Sequence, residues 1–368
     1  MKKQTENDEL DTIQKEKQLF YIQNRANIFA HRLVIIIIAA FILLIAYVIF
    51  TLVSGGNDSY NIKNDSLNSQ YLNPVRNDDD DTDKAASNDT IDYSHSIICW
   101  GDSFSDNAAN STNFYTYYLS ELLEARSSDI NAVFSSGIEG DDMLTIAAKQ
   151  GGVPMVVQPF TIPSQTNPVE ISLQSSTGAN LIIQDKLNSG LNPCTISGVE
   201  GTIEYINGKL SFTRNTVGEE IVITTPTTVV TNAMTNIKDY IAVFFFGDDP
   251  TEYTPQEVVE MYKAMVNYNG SDRYVIIGSI VGDEATLAPY EEALATEFKN
   301  HYINLREYLT TDVFNDYDIK ITSKDAQALR EGSVPPSFIL NGKRMADQGS
   351  EIVANILFDR LLQLQIIK

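Results

Sequence analysis

Apolar residues fall into three patterns along the chain. From Leu33 to Val53 no residue is charged, and Val34-Ile35-Ile36-Ile37-Ile38 is continuously apolar. At about 1.5 Å of rise per residue, a helix over this run spans the roughly 30 Å hydrocarbon core of a bilayer. The run is longer than the core of a cleaved signal peptide and starts later. It predicts an uncleaved transmembrane signal anchor over 33–53, with a buried core helix as the alternative. Residues 54–92 are dominated by Asn, Asp and Ser and hold too few apolar side chains to form a core. They read as a disordered acidic linker. Its run Asp78 to Asp81 lacks the glycine-punctuated spacing of a calcium loop, so a solvated, self-repelling spacer is expected.

Beyond residue 92 short apolar runs recur at Ser96 to Trp100, Ala132 to Phe134, Tyr240 to Phe246, Tyr274 to Ile280 and Tyr302 to Leu305. Helical spacing separates most of them. Thr254-Pro255-Gln256-Glu257 predicts a helix start with a Thr cap, Pro in the first turn and a capping-box Glu. Further helices are expected over Pro289 to Phe298 and Ser350 to Leu364. Strands alternating with helices imply a parallel sheet covered on both faces. Between about Gly151 and Val230 the period changes to two. Glu204 to Phe212, with Asn207-Gly208 at its centre, is a hairpin signal, because Asn-Gly supplies the positive φ angles of a two-residue turn. The expected organisation is a tail (1–32), an anchor (33–53), a linker (54–92), an α/β domain (93–150 and 231–368) and a β-rich insertion (151–230).

Charge and cysteine usage narrow the picture. With 49 acidic against 26 basic residues the net charge is -23, which argues against nucleic-acid partners. Arg25 and Arg32 precede the apolar run while Asp58 and Asp65 follow it. The positive-inside bias then places the N-terminus in the cytoplasm and everything after Val53 outside. Two cysteines, Cys99 and Cys194, make no disulfide scaffold. Cys99 reads as a small buried hydrophobe, with a bridge to Cys194 as the alternative. No Cys/His cluster has metal-ligand spacing, and neither a metal nor a cofactor is expected.

The candidate chemistry lies in Cys99-Trp100-Gly101-Asp102-Ser103-Phe104-Ser105-Asp106, which spans the end of the first predicted strand and the turn after it. A serine at a tight strand-to-helix turn presents its hydroxyl at the carboxyl edge of a sheet, where open α/β folds place ligands. The bland alternative is a capped loop, because Asp102 and Ser103 also suit local backbone bonding.

This stretch resembles block I of the SGNH hydrolases, the GDSL esterase/lipase superfamily. The likeness continues through Ser136-Gly137 and Phe246-Gly247-Asp248-Asp249 to the last predicted helix. It implies an SGNH (flavodoxin-like) three-layer α/β/α sandwich with Ser103 as nucleophile and Gly137 as an oxyanion donor. The insertion, with Gln150-Gly151-Gly152-Val153-Pro154 and Asn192-Pro193-Cys194-Thr195-Ile196, looks like those in a Gram-positive branch of that superfamily. Placed next to block II, it would help shape a cleft.

Two blocks depart from the family. Its oxyanion asparagine falls on Asp249, and its Asp-x-x-His falls on Asn341 and Arg344. An ionised carboxylate cannot donate to an oxyanion, and arginine cannot serve as a general base. None of the 3 histidines, His31, His95 and His301, follows residue 301 to replace it. The expectation is therefore a membrane-anchored extracellular module, catalytically impaired, that binds a cell-envelope glycan or acylated ligand. The alternative is an active serine O-acyl esterase or acyltransferase using an unusual base, for example a carboxylate from the insertion. A purely structural ectodomain facing a partner protein is a third reading. Asp249 and Arg344 are expected to pair with each other beside Ser103, with Asp102 as a competing partner for the arginine.

Overall fold

The computed structural model describes residues 95–106, 114–126, 129–130, 132–184 and 190–368. The anchor and linker segments lie outside them. Among the described residues no helix is long and apolar enough to cross a membrane.

In chain order the elements begin β1 (Ser96–Gly101), α1 (Tyr115–Ala125), β2 (Ala132–Ser135) and α2 (Met143–Gln150). Nine short strands follow: β3 (Met155–Val157), β4 (Phe160–Ile162), β5 (Val169–Glu170), β6 (Leu173–Ser175), β7 (Cys194–Ile196), β8 (Val199–Ile206), β9 (Lys209–Arg214), β10 (Ile221–Ile223) and β11 (Thr227–Val230). The α/β alternation then resumes with α3 (Asn232–Asn236), β12 (Ile241–Phe245), α4 (Pro255–Asn269), β13 (Tyr274–Ile277), α5 (Glu284–Phe298) and β14 (Tyr302–Ile303). Helices α6 (Leu305–Thr310), α7 (Val313–Asp316) and α8 (Ser323–Arg330), the ribbon β15 (Ile339–Leu340) and β16 (Arg344–Met345), and α9 (Asp347–Gln363) complete the chain.

One sheet has five strands in the order β14-β13-β12-β1-β2, every pair parallel. Its strands are almost wholly buried, as the continuous apolar runs require of a sheet covered on both faces. Alternation decides which side chain goes where. Ile97 and Cys99 of β1 pack on α1 and α9 on one face. Ile98 and Trp100 pack on α2 and α4 on the other. From β1 the chain steps to β2 on one side, then returns to β12 on the other. That reversal makes the carboxyl ends of β1 and β12 the topological switch point, where open α/β sheets bind ligands.

Strands from β3 to β11 build a separate seven-stranded antiparallel sheet, order β5-β9-β8-β7-β11-β3-β6, beside a β10-β4 ribbon. They have their own core, including Met155, Val157, Ile196 and Phe212. The β8–β9 turn has φ of 52° at Asn207 and 78° at Gly208, as a two-residue hairpin of this twist demands.

Local signals set most boundaries. Thr254 accepts from the Glu257 N–H while the Glu257 carboxylate accepts from the Thr254 N–H at 2.7 Å, completing the capping box at the start of α4. Several boundaries differ from the sequence reading, among them the strand expected over Tyr274 to Ile280, which ends at Ile277. α5 starts at Glu284 rather than Pro289, because Asp283 caps it through the Thr286 N–H at 2.8 Å. The expected strand ending at Leu305 stops at Ile303, where Asn304 accepts from the Glu307 N–H and starts α6. The last helix begins at Asp347 rather than Ser350.

Candidate functional site

The loop leaving β1 is held from three directions, and each hold involves residues quoted above. Within the loop, the Ser105 N–H donates to the Asp102 carbonyl at 3.1 Å, closing a tight turn around Ser103. Across to β12, the Ser105 hydroxyl donates to the Phe245 carbonyl at 3.1 Å. Towards β2, the Asp106 carboxylate accepts from the Glu139 N–H at 2.8 Å. Two glycines allow these approaches. A Cβ on Gly101 would stand 1.9 Å from the Phe245 carbonyl oxygen, and one on Gly137 would stand 2.2 Å from the backbone of Ser105.

Asp102 is the buried centre of this arrangement. One of its carboxylate oxygens accepts from the Phe104 N–H and the other from the Asp248 N–H, each at 2.9 Å. It thereby ties the loop after β1 to the loop after β12. Burial pushes its pKa up to about 7, the Asp248 charge adds to the rise, and the backbone N–H groups oppose it.

Ser103 follows, largely buried, at the carboxyl end of β1. Its hydroxyl donates to an Asp248 carboxylate oxygen at 3.5 Å, at the long end of hydrogen-bond distances. Neither the Ser103 nor the Gly137 N–H has an acceptor among the described residues. Asp248 is exposed, like Asp249, yet partial desolvation of its carboxylate raises its pKa above the ordinary carboxylate value, despite the Ser103 hydroxyl and the Lys343 ammonium, which favour ionisation.

Asp249, Asn341 and Arg344 sit differently from the expectation. Asp249 is exposed, and its carboxylate turns back to accept from the Thr251 N–H at 2.9 Å. An Asp has this short-range backbone option at a turn, and it draws the side chain onto its own loop. The carboxylate that meets Ser103 is that of Asp248. Asn341 and Gly342, with φ of 55° and 68°, form the exposed turn between β15 and β16. Asn341 is therefore a turn residue. Arg344 does not pair with Asp249 or Asp102. Its guanidinium lies 3.7 Å from the Glu139 carboxylate, which the Lys343 ammonium also approaches at 3.2 Å. Glu139 lies in the loop after β2, two residues beyond Gly137, so the hairpin is drawn towards that loop.

Two histidines are described, and both lie at the opposite edge of the sheet. His95 immediately precedes β1 and lies 3.9 Å from Asp129. His301 immediately precedes β14, stacks on Tyr274 at 4.2 Å and shares a 2.8 Å hydrogen bond with the Tyr274 carbonyl. All five strands run in one direction, so the amino ends that hold these rings are remote from the carboxyl ends that hold Ser103. No family model matches the chain, and no curated protein or solved structure does either.

The antiparallel segment reaches this edge through a buried ion pair. Lys149, at the end of α2, binds Asp141, whose other oxygen accepts from the Gln184 N–H at 3.3 Å. The Lys149 carbonyl accepts from the Thr231 hydroxyl at 2.6 Å. Cys99 and Cys194 are both free, buried in separate cores, and burial pushes each thiol up to about 12. Among the described residues no His, Cys, Asp or Glu cluster could hold a metal ion.

Sequence reasoning fixed on the third residue of Gly247-Asp248-Asp249 and passed over the second. It also missed Glu139 and Lys343. Each stands within two residues of a quoted motif position, but their roles depend on which loops meet at the sheet edge.

Proposed function

We propose that this chain is a membrane-anchored, extracellular protein of SGNH type, whose Ser103 edge binds an ester-bearing ligand of the cell envelope such as an acylated glycan. It lacks the histidine route to efficient acyl transfer. One observation carries the reading: Ser103 stands at the carboxyl-end switch point between β1 and β12, while both described histidines stand at the amino edge. A serine without a proton acceptor of suitable pKa is a weak nucleophile.

The retained turn, the two glycines at close backbone contacts and the unoccupied Ser103 and Gly137 N–H groups support a pocket built for a carbonyl oxygen. The antiparallel segment, fastened to the same edge through Asp141 and Lys149, supplies further binding surface. The anchor at 33–53 and the acidic spacer would hold this module away from the membrane.

The test uses the full-length chain in detergent with O-acetylated and de-acetylated oligosaccharides. Binding of the acetylated form by both the wild type and Ser103→Ala is expected. Turnover at neutral pH should stay far below the ordinary enzyme range of about 1–10³ s⁻¹. Turnover in that range, abolished in Ser103→Ala, would refute the impairment. Equal retention of both oligosaccharides, or of neither, would refute the ligand class.

A further inference from the structure

We propose that Asp248 is the proton acceptor for Ser103, so that the site retains a slow, carboxylate-driven acyl transfer. This rests on the ester-binding reading of the site. It departs from the expectation that such a base would come from the β-rich segment, since Asp248 lies in the loop after β12.

Geometry supplies the first support. Among the described residues, the Asp248 carboxylate is the group that receives the Ser103 hydroxyl, at 3.5 Å. Contacts of this kind are often long before substrate binds and shorten in the substrate complex. Asp248 is also a positioned residue. Its own N–H is fixed by the buried Asp102 carboxylate, which holds the Ser103 turn through Phe104 as well. Asp102 acts here as a positioning residue that sets the Ser103–Asp248 separation from both sides.

The second support is the surroundings. A carboxylate in water is a poor base for a hydroxyl, and partial desolvation makes it a better one by destabilising its charge. Asp248 is exposed as a residue, so the desolvation is that of its carboxylate against Ser103 and the neighbouring loops. Asp248 is flanked by Glu139 from the β2 loop, Asp249 from its own loop and Asp102 beneath it, all acidic. Lys343 from the β15–β16 hairpin and the Ser103 hydroxyl act against them. The net direction is upward, towards stronger basicity.

In the step assigned, the Ser103 oxygen forms a bond to the acyl carbon while its proton passes to Asp248. The carbonyl π pair moves to oxygen, facing the Ser103 and Gly137 N–H groups. When that pair returns, the bond to the alkoxy oxygen breaks, and the alcohol leaves with the proton from Asp248. Water repeats the sequence on the acyl-serine, gives its proton to Asp248, and releases the acid as the serine oxygen is reprotonated. No metal, oxidant or further reactant enters.

The test is 4-nitrophenyl acetate hydrolysis by the full-length chain across pH 4–9, with Ser103→Ala, Asp248→Asn and Asp248→His. Folding of each variant is checked by circular dichroism. The wild-type rate should rise with ionisation of one group whose apparent pKa exceeds the ordinary aspartate value of about 3.9, then level off. Ser103→Ala and Asp248→Asn should both lose the serine-dependent rate, by about 10²–10⁴-fold if the full effect of general-base catalysis is at stake. Asp248→His should recover activity, with its rising limb moved towards the histidine value of about 6.5. Asp248→Asn retaining the wild-type rate while Ser103→Ala loses it would overturn the assignment. So would a wild-type rate equal to that of Ser103→Ala at every pH. If acetylated glycan is still bound in the latter case, the ester-binding reading stands alone; if it is not bound, both fall.

Discussion

Replacing Asp102 by Asn tests how the site is held together. The Asp102 pKa is pushed up to about 7 in the folded protein, mainly by burial, against about 3.9 in an unfolded chain. The unfolded chain therefore releases this proton first as pH rises. Stability from this group is complete below pH 4 and is lost progressively until about pH 7. At about 1.36 kcal/mol per unit of pKa difference, the loss is on the order of 4 kcal/mol once both forms are ionised. At pH 5 only about 1.5 kcal/mol of that has been lost. Asparagine cannot ionise, so it removes the slope. It also puts an amide donor where an oxygen accepted a backbone N–H, from Asp248 or from Phe104. That unpaired donor costs about 1–3 kcal/mol at every pH. Urea unfolding of a soluble form beginning at residue 93, at pH 5 and pH 8, measures both terms. The variant should be the less stable protein at pH 5 and should gain about 2–3 kcal/mol on the wild type by pH 8. A difference between the two proteins that is constant from pH 5 to pH 8 would refute the reasoning.

Lys149→Met should cost about 3–5 kcal/mol in urea unfolding, because it leaves the buried Asp141 carboxylate without its counter-ion; adding Asp141→Asn should restore part of the loss. Gly137→Ala forces a Cβ into the Ser105 backbone, so a loss of about 1–3 kcal/mol and weaker retention of acetylated oligosaccharide are expected. Protease added to intact cells should cut within residues 54–92 and release the C-terminal domain, leaving residues 1–32 protected; recovery of that domain from the cytoplasm would contradict the proposed topology.

The parallel sheet was legible because each of its strands is an apolar run bounded by turn or capping residues. Burial on both faces leaves that mark in any frame. The β8–β9 hairpin was legible for an equally local reason, the Asn207-Gly208 turn. Ends set by a single capping side chain, such as Asp283 before α5 and Asn304 before α6, were read less well, since Asp and Asn are also common in ordinary loops. Ser103 could be found because the turn that presents it lies within one short stretch. Its neighbours could not. Asp248 and Ser103 are 145 residues apart, and which of two adjacent carboxylates faces the serine depends on backbone direction after β12. Arg344 was expected in the pocket because the resemblance aligned it with the family's histidine. Its segment folds as a tight ribbon instead, with Asn341-Gly342 at its turn, and both cations of that ribbon meet Glu139.

The claim that the β1/β12 switch point is the ligand site is tested most directly by a crystal structure with an O-acetylated oligosaccharide bound. The account predicts the acetyl group between Ser103 and Gly137, with its carbonyl oxygen towards their N–H groups and Asp248 beside the serine hydroxyl. An oligosaccharide bound only on the antiparallel sheet, or at the amino edge near His95 and His301, would contradict it.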